Sequence, residues 1–302
     1  MSQSPMSASP FEVLRVAASA SQDELRKAYR RALRETHPDT GGDPQRFHAV
    51  QYAWEQISTP DRRAAYKGGA QAAGHGTFTA QGGRAQQDTR PKARSYGYPG
   101  GWRREQYLAQ LREWAGRGAE IKDPYDPVFV RNAPREIRHT LADALAEEAT
   151  ARTLSSLGIG FTIWHDVATG VPKEKLDHVV LGPTGLFALM SEDFGGAVTA
   201  RKGDLAGEAV AGDRPMHVLG QRSKAVARAL RVKFGALAIV LPDAAMEGST
   251  LPLGTARGTV ALAVTQSALP SLLRSGIPGA PAIGGNQLFD LRTRIQTRVR
   301  FV

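Results

Sequence analysis

The clearest amphipathic pattern in the chain covers residues 25–36. At about 100° per residue, its apolar side chains fall on one side of a helix and its cations on the other. The apolar side holds Leu25, Ala28, Tyr29, Ala32 and Leu33, and the cationic side holds Arg26, Lys27, Arg30, Arg31 and Arg34. Ser21 to Glu24 has the spacing of a capping box that starts this helix. Pro38 supplies no N–H and disfavours the α conformation at His37, so the helix is predicted to end there.

Further helices are predicted on both sides of this one. Phe11, Leu14 and Val16 indicate a short apolar helix or turn before it. After a loop rich in glycine, a second helix carries apolar residues at helical spacing, namely Phe47, Val50, Trp54 and Ile57. Thr59 and Pro60 then form the start of a last short helix through Tyr66. Residues 5–68 are therefore predicted to form a small all-α domain built on a helical hairpin.

The composition changes after residue 68. Residues 69–101 are rich in glycine, alanine, glutamine and arginine, which is typical of a flexible linker. Residues 102–133 are predicted to form a connecting helix followed by a proline-rich turn. Between residues 84 and 104, six cations alternate with three aromatic residues: Arg84, Arg90, Lys92, Arg94, Arg103 and Arg104, with Tyr96, Tyr98 and Trp102. Such a segment suits base stacking with phosphate contacts, or a soluble linker whose aromatic residues pack on a neighbouring domain.

Residues 134–302 show a mixed pattern of helices and strands. A long helix is predicted over 134–157, followed by strands at 161–164, 176–181 and 186–190. Gly182 to Gly185 joins the last two strands as a hairpin. A helix over 216–234, strands at 237–241 and 260–264 and a helix over 266–274 follow, and the C-terminal segment is amphipathic with one arginine-rich face. This order favours an α/β domain.

Charge and cysteine content narrow the classes of function. The 302 residues carry a formal net charge of +10, which favours an acidic partner of some kind. The chain has no cysteine, so disulfide scaffolds, thiolate zinc sites and cysteine nucleophiles are excluded. The first residues lack the layout of a signal peptide, and no apolar run reaches the length of a membrane span. We therefore expect a cytoplasmic protein without a membrane partner.

Residues 5–68 resemble a J domain of the DnaJ type. The resemblance rests on FEVLRV, on DELRKAYRRALRETHPD and on RFHAVQYAWEQISTPDRRAAY. It implies that the partner is a DnaK-type heat-shock ATPase. It also implies that His37, Pro38 and Asp39 stimulate ATP hydrolysis by that chaperone. The basic helix face would bind the acidic surface of the chaperone through Lys27, Arg30, Arg31 and Arg34.

Residues 134–302 resemble the nuclease-related domain NERD, which has the PD-(D/E)xK restriction-endonuclease-like fold. The carrying residues are AEEATARTLSSLG with Glu147, HDV at 165–167, LDHVVLGPTGLFAL at 176–189, and Gln221. The resemblance implies a metal site on Asp177 and Glu147, completed by a Glu-x-Lys on the next strand. The chain has Met190, Ser191 and Glu192 at that place. The active site is therefore expected to be degenerate.

These resemblances together predict a J-domain co-chaperone that recruits an unknown client through a nuclease-like binding domain, without a cofactor. One alternative is a metal-dependent nuclease with a migrated active site, in which Glu192 reaches a divalent metal and Lys173, Lys175 or Lys202 supplies the cation. A second alternative is an adaptor that binds nucleic acid through the cationic segment. His139, His178 and His217 have no metal-like spacing in the sequence and are expected to be structural or surface residues.

Overall fold

The structure is a computed structural model that describes residues 4–6, 8–36, 44–68, 91–116 and 119–302. The chain divides into two compact units. One contains Met1–Thr79 and Gln110–Arg138, and the other contains Ala80–Ala109 and His139–Val302. We call them the helical unit and the α/β unit. Among the described residues, no helix combines the length and the hydropathy that crossing a bilayer requires.

The helical unit begins with α1 (Pro10–Val13), α2 (Gln22–Thr36), α3 (Pro44–Ile57) and α4 (Pro60–Gly68). The capping box expected at the start of α2 is confirmed. The Ser21 N–H donates to the Glu24 carboxylate at 2.7 Å, and the Glu24 N–H donates to Ser21 Oγ at 3.3 Å. A second capping box, between Ser9 and Glu12, starts α1. Local sequence therefore sets where both helices begin.

Most of the buried core of the helical unit consists of apolar positions that the helical pattern predicts. Its buried members are Phe11, Leu14, Ala20, Leu25, Val50, Ala53, Ile57 and Tyr66. The ring of Tyr29 on α2 stacks on Trp54 of α3, with centroids 4.5 Å apart. The Gln22 side chain also donates to the Ser58 carbonyl at 2.6 Å. These contacts hold α2 and α3 together as a hairpin.

The proline-rich segment before residue 138 is part of the helical unit. Asp126 caps α6 (Pro127–Asn132) by accepting hydrogen bonds from the N–H groups of Val128 and Phe129. Val128 packs against the helical core, and the Asn132 side chain donates to the Tyr66 carbonyl at 3.3 Å. Arg138, only 4% exposed, pairs with Glu12 at 2.6 Å. This segment therefore extends the helical core beyond the residues of the predicted small domain.

The α/β unit contains nine strands and all or most of five helices among its described residues. The helices are α5 (Gly101–Ala115), α7 (Arg135–Leu154), α8 (Pro215–Leu230), α9 (Leu269–Ser275) and α10 (Gly285–Arg298), and of these α5 and α7 also contribute residues to the helical unit. The strands are β1 (Arg94–Tyr96), β2 (Thr162–Ala168), β3 (Lys175–Gly182), β4 (Gly185–Ser191), β5 (Thr199–Arg201), β6 (Asp204–Ala206), β7 (Ala236–Leu241), β8 (Thr250–Ala256) and β9 (Thr259–Thr265).

Seven of these strands form one mixed sheet in the order β1-β2-β3-β4-β7-β9-β8. β2, β3 and β4 are antiparallel neighbours, whereas β4, β7 and β9 run parallel to one another. Alternate residues of β7 enter two different cores, because successive strand side chains point to opposite faces. Leu237 and Ile239 join α8 and α10 on one face, whereas Ala238 and Val240 join α9 on the other. The mixed α/β architecture predicted for this region is confirmed.

The structure differs from the sequence expectation at several boundaries. Arg94–Tyr96, expected within the flexible linker, forms β1 and pairs in parallel with β2. Tyr96 stacks near Trp164, with ring centroids 6.2 Å apart, and this contact agrees with the interpretation in which the aromatic residues of the segment pack on a neighbouring domain. The helix expected over 266–274 covers Leu269–Ser275, and the small sheet of β5 and β6 was not predicted.

Candidate functional site

The first candidate site is the cationic face of α2. Arg26, Lys27, Arg30, Arg31 and Arg34 are exposed along the helix, opposite the buried Leu25 and Ala28. Arg26 and Arg31 have acidic neighbours only at 3.9 and 4.0 Å, on exposed side chains, where ion pairs contribute little. The face is therefore a strongly basic surface. His37, Pro38 and Asp39, which follow it in sequence, lie outside the described residues.

The second candidate site is a buried ion cluster in the α/β unit, made of Glu147, Asp166, Lys175 and Asp177. The Lys175 ammonium lies 2.5 Å from the Glu147 carboxylate, 2.6 Å from Asp166 and 3.3 Å from Asp177. Lys175 and Asp177 project from the same face of β3, because they are two residues apart. All four residues are at most 2% exposed. The structure thus places Glu147 and Asp177 around Lys175, one of the three lysines considered in the sequence, together with Asp166.

The charges in this cluster depend strongly on one another. Burial opposes ionisation of Asp177, but the positive charges of Lys175 and Arg222 outweigh it and hold the pKa of Asp177 at about 2. Burial also disfavours charged Lys175, yet the carboxylates of Asp177 and Glu147 outweigh it and raise the pKa of Lys175. Burial, followed by the negative charge of Asp177, raises the pKa of Glu147 well above its usual value. Lys175 and Asp177 therefore form the ionised pair of the cluster.

The buried ion cluster does not fit the divalent metal that the resemblance noted in the sequence implies. The Lys175 ammonium already lies between the two carboxylates that would bind the ion. One oxygen of Asp177 accepts the Ser191 N–H at 2.9 Å, which leaves less of this carboxylate for a metal. The next strand offers Met190, a thioether that is a poor ligand for hard cations. This centre is a buried ion cluster built around the Lys175 ammonium group.

Arg103 and a second group of ionisable residues lie beside the buried ion cluster. The Arg103 guanidinium is 3.6 Å from both Glu147 and Asp143. Glu192 approaches His139, with 3.5 Å between Oε2 and Nε2. Burial, followed by the charge of Glu192, raises the pKa of Asp143 well above its usual value. The neighbouring Arg104 makes two hydrogen bonds to Glu148. Two cations that the nucleic-acid alternative assigned to phosphate contacts therefore contact carboxylates of α7.

The remaining residues singled out in the sequence lie elsewhere. Gln221 is exposed on α8 and hydrogen-bonds to His217 at 2.8 Å. Lys173 and Lys202 are exposed, so of the three lysines considered only Lys175 enters the buried ion cluster. His178 is fully buried and lies 2.7 Å from His165, ring nitrogen to ring nitrogen. Its other ring nitrogen is 3.1 Å from Ser191 Oγ, so His178 is a core residue held by hydrogen bonds.

The buried histidine pair predicts acid sensitivity. Burial, followed by the charge of Lys175, lowers the pKa of His165 from 6.5 to about 4, so the unfolded chain binds more protons between those values. The contribution of neutral His165 to the free energy of unfolding is complete above pH 6.5 and is lost as the pH falls toward 4. When the pH is lowered from 7 to 4.5, we expect the free energy of unfolding to fall by about 2 to 3 kcal/mol more in wild type than in His165→Gln. Urea unfolding at the two pH values measures this difference, and equal losses would contradict it.

Sequence reasoning missed three members of these two groups: Arg103, Asp143 and Asp166. For Asp143, the spacing along the helix could have revealed the grouping. His139, Asp143 and Glu147 follow one another at intervals of four residues, which places them along one face of a helix. Lys175 and Asp177 are two residues apart, which on a strand places their side chains on the same face. The contribution of Arg103 had no local signal, because it depends on how α5 meets α7.

The comparisons with known proteins concern the N-terminal part of the chain. A family model described as "DnaJ domain" matches residues 9–67. The chain is 48% identical over 56 residues to "DnaJ protein homolog" of Cucumis sativus. These residues cover 18% of this chain and 14% of that protein. It is 48% identical over 56 residues to "Chaperone protein dnaJ A6" of Oryza sativa subsp. japonica, with the same coverage. It is 44% identical over 73 residues to "Chaperone protein DnaJ 2" of Streptomyces coelicolor. The aligned residues cover 22% of this chain and 19% of that protein.

These matches are limited in extent. The chain spans about a seventh of the length of the two plant relatives. The family model ends at residue 67, and it leaves the α/β unit without an assignment.

Proposed function

We propose that residues 9–67, which are a J domain, make this chain a co-chaperone of a DnaK-type ATPase. The observation that carries the proposal is the basic face of α2, directly followed in sequence by His37, Pro38 and Asp39. An exposed row of cations attracts an acidic partner surface and fixes the orientation of the complex. The tripeptide would then bias the chaperone toward ATP hydrolysis, so that no bond is made or broken on the J domain itself.

The folding of the J domain supports this role. α2 is held to α3 through its apolar side and through Gln22, so its cations are presented on a rigid support. Binding to a preformed surface avoids the entropic cost of ordering these side chains on a flexible segment. The tripeptide and the basic face would therefore act together in one docking event.

For the α/β unit we propose a client-binding module with the fold of a nuclease-related domain but without its chemistry. Three features support the absence of nuclease chemistry. Lys175 lies between Asp177 and Glu147, Met190 stands where a metal carboxylate is expected, and Gln221 is exposed on α8. The rival is a metal-dependent nuclease. Divalent-metal-dependent cleavage that disappears in Asp177→Ala would establish the rival, and no cleavage across metals and substrates would exclude it.

A nucleic-acid adaptor is less well supported by the contacts of the cationic segment. Arg103 and Arg104, two of its six cations, contact carboxylates of α7. Tyr96 belongs to β1 and lies against Trp164. These groups stabilise the α/β unit and are not directed to a phosphate backbone. Salt-sensitive binding to nucleic acid that is lost on removal of residues 84–104 would favour the adaptor over the client-binding module.

The docking role of α2 is tested by reversing charges on its exposed face. We expect Arg30→Glu combined with Arg34→Glu to raise about tenfold the concentration of this protein that half-maximally stimulates a DnaK-type ATPase, equivalent to about 1.4 kcal/mol. The measurement is single-turnover ATP hydrolysis at low salt, where surface charges are least screened. The matched control is Lys224→Glu with Arg228→Glu, the same charge change on exposed residues of α8. Equal effects of both pairs, or no stimulation by wild type, would contradict the proposal.

A further inference from the structure

The second ionisable group in the α/β unit has the geometry of a small metal site. It consists of His139 and Asp143 on α7 and Glu192 directly after β4, and we call it the His139 cluster. One potential ligand atom from each residue lies within 4.8 Å of the other two. His139 Nε2 is 3.3 Å from Asp143 Oδ1 and 3.5 Å from Glu192 Oε2. An ion about 2 Å from each of these atoms fits among them with little rearrangement.

A second observation points to a ligand at this place. Asp143 is only 5% exposed, and its Oδ1 atom accepts no hydrogen bond from any residue in the described part of the chain. A buried carboxylate oxygen without a hydrogen bond is costly, and such groups in native proteins are satisfied by a partner or by an ion. The Oδ1 atom is directed at His139 Nε2, toward the centre of the cluster. A cation among the three residues would satisfy it.

The surrounding carboxylates favour a cation at this place. Five carboxylates lie in the two neighbouring groups, from Asp143, Glu147, Asp166, Asp177 and Glu192. The cations that act on them are Arg103, Lys175 and Arg222. Two formal negative charges therefore remain when all five carboxylates are ionised. Asp143 and Glu192 share the positive charge of Arg103, so part of this excess lies at the His139 cluster, where a bound cation would be favoured.

The cluster is also held in place by its surroundings. His139 and Asp143 are one turn apart on the same face of α7, a helix spacing that brings two ligands to one ion. The His139 ring lies against Phe194, with centroids 5.9 Å apart. Arg103 approaches the other oxygen of Asp143 at 3.6 Å, which orients the carboxylate in the manner of residues that support metal ligands.

We propose that His139, Asp143 and Glu192 bind one divalent transition-metal ion of the Zn²⁺ or Mn²⁺ class. An imidazole nitrogen with two carboxylates suits these ions better than Mg²⁺ or Ca²⁺, which prefer oxygen ligands. Three protein ligands leave a coordination position open to water. The proposal goes beyond the co-chaperone role and requires neither stimulation of an ATPase nor nuclease activity.

The test uses the full-length, tag-free chain after treatment with a chelator. Calorimetric titration with Zn²⁺ and with Mn²⁺ should show one equivalent bound, and Co²⁺ should give a visible absorption spectrum typical of protein ligands. His139→Ala and Glu192→Gln should each weaken binding by at least about 100-fold, because each removes one of three ligands. The matched control is His217→Ala, which removes an exposed histidine of α8 and should leave binding unchanged.

Two further variants distinguish binding at the His139 cluster from binding at the buried ion cluster. Asp143→Asn keeps the shape of the side chain and should also weaken binding, whereas Asp177→Asn in the buried ion cluster should not. Circular dichroism and thermal unfolding in chelator establish that each variant is folded. Should Asp143→Asn fail to fold, His139→Ala and Glu192→Gln decide the question. No binding by wild type, unchanged binding in both of these variants, or loss of binding only in Asp177→Asn would overturn the proposal.

Discussion

Lys175→Met is expected to destabilise the α/β unit by about 3 to 5 kcal/mol, the cost of removing one partner from a buried ion pair. Lys175 is 1% exposed and contacts Glu147, Asp166 and Asp177. Methionine fills a similar volume but carries no charge, so three buried carboxylates would lose their shared cation. The measurement is the free energy of unfolding by urea, with hydrogen exchange of the β3 amides to assign the loss to the α/β unit.

A control and a rescue make this prediction specific. Lys173→Met makes the same chemical change at an exposed position two residues away, and it should alter stability by less than about 0.5 kcal/mol. Adding Asp166→Asn to Lys175→Met should recover part of the lost stability, because one uncompensated charge is removed with the cation. A Lys175→Met protein as stable as wild type would show that the cluster does not depend on this ammonium group.

His37→Gln is expected to abolish the stimulation of a DnaK-type ATPase, even at saturating concentrations of this protein. The J-domain match and the exposed cations of α2 predict that His37 acts in the docked complex and that the basic face supplies the attraction. Loss of His37 should therefore remove the effect on hydrolysis but leave the salt-dependent attraction in place. Single-turnover ATP hydrolysis measures the stimulation, and a binding assay on the same samples measures the docking.

The matched control is His217→Gln, the same replacement at an exposed histidine of the α/β unit, which should stimulate as wild type does. Stimulation by His37→Gln equal to that of wild type would contradict the role of the tripeptide. Weakened binding with normal maximal stimulation would assign His37 to docking. Together with the charge reversal on α2, this experiment separates attraction from activation.

The sequence predicted most of the helical unit because its determinants are local. The capping box at Ser21 and the apolar positions of α2 and α3 follow from a helical period that can be counted along the chain. The hairpin of β3 and β4 around Gly182 to Gly185 was predicted by the same kind of local signal. The family match to residues 9–67 covers the part of the chain where such signals are densest.

The sequence by itself thus determined the basic face of α2, the hairpin of β3 and β4, and the absence of a Glu-x-Lys at residues 190–192. Only the tertiary structure decided which charges meet. Lys175 could be proposed as a cation, but its contacts with Glu147 and Asp166 depend on the placement of α7 and β2 around β3. The same holds for Glu192, which meets His139 across the fold. Helical and strand periods act over a few residues, whereas an ion pair is set by the packing of elements far apart in sequence, which no local pattern encodes.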